Sequence, residues 1–278
     1  MTRSVRNALL RALRQRSELL AFKRVRRIAC DPRGLTRSLT EADLAGIFSS
    51  GAITKDWRAV EDQLALMDIP EGADSVNPGD RRAVYYLVRH LRPRSVLEIG
   101  THLGASTVHM AAALRETQHD EAQTNRRLTT VDIKNVNDEA TTPWLQYGSG
   151  RSPLEMARRL GLSAQISFVT GGSLEYLASC EERYDLIFLD GDHAPWAVYQ
   201  ELPAALSVLQ RDGVILLHDY FPALKPLWSD GAVIQGPWLA VERLRSEGAK
   251  IKAMPLGELP WHTKLGSRRT SLALLVGD

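Results

Sequence analysis

Five positions late in the chain carry side chains suited to moving a proton. Asp190, Asp192 and His193 stand together in Asp190-Gly191-Asp192-His193, and His218 and Asp219 open His218-Asp219-Tyr220. Carboxylates and imidazoles are the common general acids and bases, and a histidine, with a reference pKa of ~6.5, changes charge near neutrality. A second group of residues is of the binding type. Glu98 precedes Gly100, Thr101, Gly104 and Ser106, Asp132 closes an apolar run, and Ser173 follows Gly171-Gly172. Glycines let a backbone approach a ligand closely, and the start of a helix offers free N–H groups. An acidic residue at the spacing of Asp132 from the glycine turn fits one that accepts from the paired hydroxyls of a ribose.

These residues share one property of position. Val96, Leu97 and Ile99 read as a buried strand ending at the glycine turn, with a helix over 108–114. Further strands are expected at 127–131, 164–170, 184–189 and 214–217, the fourth continuously apolar as a strand buried on both faces should be. Glu98, Asp132, Ser173, Asp190 to His193 and His218 to Asp219 all fall at carboxyl ends of successive strands, where ligands gather in an open parallel sheet. Helices are expected at 153–161, from Leu174, at 197–209 and at 236–247. Strands at 250–254 and 271–276 follow with no helix between them, which calls for one reversed strand. The fold class is therefore α/β: a Rossmann-like, seven-stranded, mostly parallel sheet with helices on both faces and extra N-terminal helices.

Those extra helices are expected at 4–29, from a Thr40–Asp43 cap to Phe48, at 55–68 with Trp57, Val60, Leu64 and Met67 on one face, and at 79–91. Residues 1–37 hold eleven Lys/Arg against Glu18 and Asp31, leaving 24 basic and 31 acidic side chains in the remainder. A basic amphipathic arm (1–37) thus precedes a helical cap (38–92) and the α/β domain (93–278). The arm is expected to pack on the body or a second copy with its arginines in water; the functional alternatives are peripheral contact with an anionic membrane surface, contact with nucleic acid, for which only Phe22 offers a stacking ring, and an Arg-rich targeting peptide. No apolar run approaches the ~18 residues of a membrane span. Cys30 and Cys180 are too few for a disulfide framework and suit a reducing, cytoplasmic setting.

The glycine spacing separates two cofactor classes. A dinucleotide site asks for G-x-G-x-x-G, whereas this turn is Glu-x-Gly-x-x-x-Gly. Glu98-Ile99-Gly100-Thr101-His102-Leu103-Gly104-Ala105-Ser106-Thr107 resembles the first motif of class I S-adenosylmethionine-dependent methyltransferases. Residues 77–220 resemble the O-methyltransferase branch, including catechol O-methyltransferase-type and caffeoyl-CoA-type enzymes. Leu-Asp-Gly-Asp-His and Leu-His-Asp-Tyr are closer still to the bacterial metal-dependent enzymes of the macrocin and aminocoumarin type, which methylate sugar or phenolic hydroxyls. The resemblance implies that Glu98, Gly100, Thr101, Gly104, Ser106, Asp132, Ser173 and Asp190 bind S-adenosylmethionine, with Ser106 on its carboxylate. It implies a divalent metal, Mg²⁺ or Mn²⁺, on Asp190 and Asp219 and on His218, which replaces a carboxylate. Asp192 or His193 would be the base. Plainer roles exist for each: Asp190 as a helix cap, His218 as a strand-end histidine, Asp219 as a turn residue, Ser173 as an N-cap.

The implied reaction is O-methylation of a small molecule, a sugar or phenolic metabolite, by a homo-oligomeric enzyme. Asp-Gly-Asp-His stands where base-methylating enzymes carry an Asn/Asp-Pro-Pro-aromatic run, so no nucleic acid partner is expected. Trp196, Tyr220, Trp228, Trp238 and Trp261 are candidates for the acceptor wall. Two rival readings keep the fold: a metal-dependent hydroxylase-like enzyme, and a catalytically silent cofactor binder whose arm docks a partner.

Overall fold

A computed structural model describes residues 15–37, 39–72, 75–120 and 126–278. The sheet is built from β1 (Ser95–Ile99), β2 (Arg127–Asp132), β3 (Ile166–Thr170), β4 (Tyr184–Leu189), β5 (Leu209–Leu217), β6 (Ile251–Pro255) and β7 (Ala273–Gly277). Their order across it is β3-β2-β1-β4-β5-β7-β6. All neighbours from β3 to β5 are parallel, and β7 runs antiparallel to both β5 and β6. This is the expected mostly parallel sheet with one reversed strand.

Side chains alternate between two cores, as the two-residue period of a strand requires. Val96, Leu128, Leu186, Leu216 and Leu274 enter one core; Leu97, Val131, Ile187, Ile215 and Leu275 enter the other. The first core is covered by α2 (Glu41–Phe48), α3 (Gly51–Ala65), α4 (Pro78–Leu91), α5 (Ala105–Asp120) and α6 (Pro153–Arg159). The second lies under α1 (residues 15–24), α7 (Ser173–Ser179), α8 (Pro195–Val208) and α9 (Gly236–Ser246). Chain reversal happens beside β1: the path runs out through β2 to β3, then returns to β4 on the other flank. In such sheets the crevice opens at this switch point.

Local chemistry sets the helix starts that matter below. Thr40 and Asp43 form a reciprocal capping box on α2. Ser50 caps α3, which starts four residues earlier than its apolar stripe suggested. Asn77 caps α4, its Oδ1 accepting from the Asp80 N–H at 3.0 Å, with Pro78 in the first turn.

Three expectations need correction. The helix expected over 4–29 ends at residue 24; its portion before residue 15 lies outside the described residues. The reason is long-range: the Arg243 guanidinium donates to the carbonyls of Phe22 and Val25 and stacks between the Phe22 and Tyr199 rings. The Tyr199 hydroxyl then accepts from the Ile28 N–H at 3.1 Å, so the backbone leaves the helix to follow α8 and α9. The fifth strand begins at Leu209, not Val214, because Leu209 already pairs with Tyr184 before a register shift. Trp261 is not an acceptor wall. Its ring packs on Phe48 and Tyr86, its Nε1–H donates to the Gly79 carbonyl at 2.9 Å, and the Arg82 guanidinium lies 4.1 Å from its ring centre.

Candidate active site

A crevice of about 1440 Å³ opens along the carboxyl ends of β1 to β5. Its floor at the switch point is made by two turns pressed together. Gly100 has φ +99°, and a Cβ there would collide with the carbonyl of Asp190, so only glycine lets the ends of β1 and β4 meet. Gly104, at φ +71°, sits below the crevice with Pro153 where a Cβ would be (2.8 Å).

Glu98 also lies beneath the lining, fully buried. Ser106 Oγ donates to its Oε1, while Thr107 Oγ1 and Thr130 Oγ1 donate to its Oε2. Burial pushes the Glu98 carboxyl up to about 7, against the pull of those three hydroxyls. It therefore braces the turn from below: Ser106 and Thr101, whose Oγ1 is 2.6 Å from Thr130 Oγ1, are on the crevice surface and Glu98 is not.

At the end of β2, Asp132 Oδ2 accepts from the His102 N–H and Oδ1 from the Lys134 N–H, both at 2.9 Å. At the end of β3, Ser173 lines the crevice, but Gly172, not Ser173, is the N-cap of α7. Ser173 Oγ instead donates to Glu201 Oε1 at 2.5 Å. Glu201, on α8 and 4% exposed, is pushed up to about 7 by burial and by the Asp192 charge, against the Ser173 hydrogen bond. Sequence reading missed it, because a glutamate inside a helix gives no signal of its own.

The proton-handling residues meet at the other end. One ligand atom each from Asp190, His193, His218 and Asp219 can be chosen so that all lie within 4.8 Å of one another. His218 Nδ1 is 2.7 Å from Asp190 Oδ1 and 3.6 Å from Asp219 Oδ1. His193 Nε2 is 3.5 Å from Asp190 Oδ1 and 3.3 Å from Asp219 Oδ2. Burial works against a charged His218, yet the Asp190 and Asp219 carboxylates, the hydrogen bond to Asp190 and the nearby Asp80 carboxylate carry it well above the ordinary histidine range. Two carboxylates and two imidazoles are a donor set that suits a divalent ion. Asp192 stays apart: it is exposed, and its Oδ1 accepts from the Ala194 N–H at 2.9 Å.

Aromatic groups complete the walls. Trp144, Tyr147, Trp196, Phe221 and Trp228 line the crevice; Tyr220 and Trp238 do not. Phe221 meets Trp228 edge-on at 5.4 Å, and Tyr147 meets His102 edge-on at 4.3 Å.

Residues 97–220 match the family model described as a methyltransferase domain. That segment is a methyltransferase domain, and the enzyme class is that of an S-adenosylmethionine-dependent O-methyltransferase. It is 28% identical over 167 residues to a catechol O-methyltransferase of Niastella koreensis, covering 58% of this chain and 63% of that one. An O-methyltransferase from Bacillus cereus, solved with S-adenosylhomocysteine, superimposes with a TM-score of 0.53 at 20% identity, over 81% of this chain and 91% of that one. TomG from Streptomyces achromogenes, solved with S-adenosylmethionine and involved in tomaymycin synthesis, gives 0.53 at 18% identity, over 82% and 90%. The last two likenesses concern the fold. Small-molecule O-methylation is the activity class. Among the described residues no helix is long and apolar enough to cross a membrane.

Proposed function

We propose that this methyltransferase acts on a hydroxyl of a phenolic or sugar metabolite, with a divalent metal assisting. The observation that carries this reading is the convergence of Asp190, His193, His218 and Asp219 at one end of the crevice that holds Asp132 and Ser173 at the other.

In this reading the turn of Gly100, Thr101 and Ser106 receives the amino-acid end of the cofactor, Asp132 accepts from its ribose hydroxyls, and Ser173 borders its adenine. Bound S-adenosylmethionine supplies an activated methyl sulfonium. The protein's task is to place the acceptor oxygen in line behind that methyl and to remove its proton. His193 is the base: its Nε2 faces the cluster, and Asp190 and Asp219 flank that nitrogen and stabilise the positive charge it gains. Asp192 is engaged on the Ala194 amide and serves the turn. Asp190, His218 and Asp219 would hold the metal, whose chemistry is to lower the pKa of a bound hydroxyl and orient it. Trp196, Phe221 and Trp228 offer flat surfaces to a phenolic ring or the apolar face of a sugar. The segment before α4 adds a wall through Glu71, Gly72 and Ser75 to Asn77, which supports the reading of residues 38–92 as a cap.

The test is transfer of labelled methyl from S-adenosylmethionine to a panel of catechols, simple phenols and glycosides, with Mg²⁺, Mn²⁺ or a chelator. Methylated oxygen with metal dependence is expected. Transfer to nitrogen acceptors only, or no transfer to any hydroxyl, would remove the reading.

A further inference from the structure

A carboxylate from outside the strand-end rim reaches the cluster from behind. Asp80, in the first turn of α4, is fully buried, and its Oδ2 lies 3.5 Å from His218 Nε2. The same Oδ2 accepts from Asn77 Nδ2 at 2.7 Å and from Ser271 Oγ at 3.5 Å. Ser271 Oγ is also 3.3 Å from Asp219 Oδ1, so one hydroxyl bridges Asp80 to the cluster. The start of α4 has no slack here, since a Cβ on Gly79 would collide with the His262 carbonyl. Among the described residues, the buried atoms Asp80 Oδ1 and His218 Nε2 have no hydrogen-bond partner. A buried carboxylate is costly unless a donor or cation faces it, and the ring that faces Asp80 is the His218 imidazole.

We propose that Asp80 is a positioning residue for His218. Its carboxylate holds the ring with Nε2 turned into the protein and Nδ1 turned to Asp190 and the crevice. A carboxylate on the far nitrogen of an imidazole fixes both tautomer and ring orientation, and loss of such a partner from a metal-ligating histidine typically costs 10–100-fold in metal affinity. Asp80 also serves α4 directly, through its reciprocal contacts with the Asn77 cap. A useful test must therefore read His218 itself.

Selective ¹⁵N labelling of histidine in the full-length protein, with long-range ¹H–¹⁵N correlation, reports the surroundings of each His218 nitrogen; a His218→Asn sample assigns the signals. The wild type should show a single set of His218 nitrogen signals, as a ring held in one orientation gives, and Asp80→Asn should shift or split it. Unchanged His218 signals in Asp80→Asn would overturn the proposal. Where Asp80→Asn fails to fold, Asp80→Glu asks the same question with a displaced carboxylate, and unmoved signals again overturn it. A second arm rests on the metal reading above: Mn²⁺ binding followed by electron paramagnetic resonance should weaken at least tenfold in Asp80→Asn, while S-adenosylhomocysteine affinity stays within about twofold. Equal Mn²⁺ affinity in the two proteins counts against Asp80. A wild type that binds no Mn²⁺ sinks the metal reading instead, and the nitrogen signals alone then decide on Asp80.

Discussion

The amide of His102 donates to Asp132 Oδ2 at 2.9 Å, joining the glycine turn of β1 to the acidic end of β2. His102 reaches this geometry at φ +46°, a left-handed conformation that few non-glycine residues adopt. One Asp132 oxygen is aimed by the turn and the other by the Lys134 amide, and each keeps accepting capacity for a ligand's hydroxyls.

Asp132→Ala should therefore weaken S-adenosylhomocysteine binding at least tenfold, the scale of one lost charge-assisted hydrogen bond. Titration calorimetry measures it. A binding constant equal to wild type would mean that the nucleoside lies elsewhere.

His193 and Asp192 are adjacent but differ in surroundings, so their variants should separate. His193→Asn should lower kcat by about 10²–10⁴, the usual worth of a positioned base, with cofactor affinity unchanged. Asp192→Asn should stay within a few-fold of wild type. The reverse ranking would move the base to Asp192.

Chelator should depress turnover and Mn²⁺ or Mg²⁺ should restore it, and Asp190→Asn should remove both responses. A metal ion must displace the proton that Asp190 and Asp219 help His218 to hold. Apparent metal affinity should thus tighten as pH rises toward and through the raised His218 pKa. Calorimetric titration with Mn²⁺ at several pH values checks the sign; affinity that falls with pH would contradict it.

Glu201 predicts a slope in stability. Its folded value of about 7 stands above the ordinary 4.5, so between these pH values the folded state keeps a proton that the unfolded chain has released. Stability should fall as pH rises through this window, by an amount on the order of 3 kcal/mol for a shift of this size, and level off above it. Glu201→Gln should flatten part of the slope and raise stability at pH 8. Urea unfolding at pH 5, 6, 7 and 8 reads both; the buried Glu98 adds a slope of the same sign.

Much of the architecture could be read from the residues because strands and turns speak locally. Short apolar runs announced β1, β4 and the 214–217 part of β5, and Gly100 announced a close backbone approach, expected toward a ligand and found toward the Asp190 carbonyl. What escaped was contact made at a distance. Asp80 looks like an ordinary first-turn acid of α4, and only the packing of that helix against the ends of β5 and β7 brings it to His218. Glu201 is one polar residue on a helix, and its partner lies 28 positions earlier. The end of α1 is set by Arg243, more than two hundred residues away. By residue type Trp261 groups with the wall aromatics; Phe48, Tyr86 and Arg82 take its ring into the helical layer instead.

The collision that any side chain at position 100 would suffer with the Asp190 carbonyl has a practical corollary. Loop grafts that aim to redirect this enzyme toward other acceptors cannot treat the segments after β1 and β4 as independent cassettes. They interlock through their main chains and have to be transplanted as a matched pair, with the walls farther out, around Trp228 and Trp144, left as the parts open to redesign.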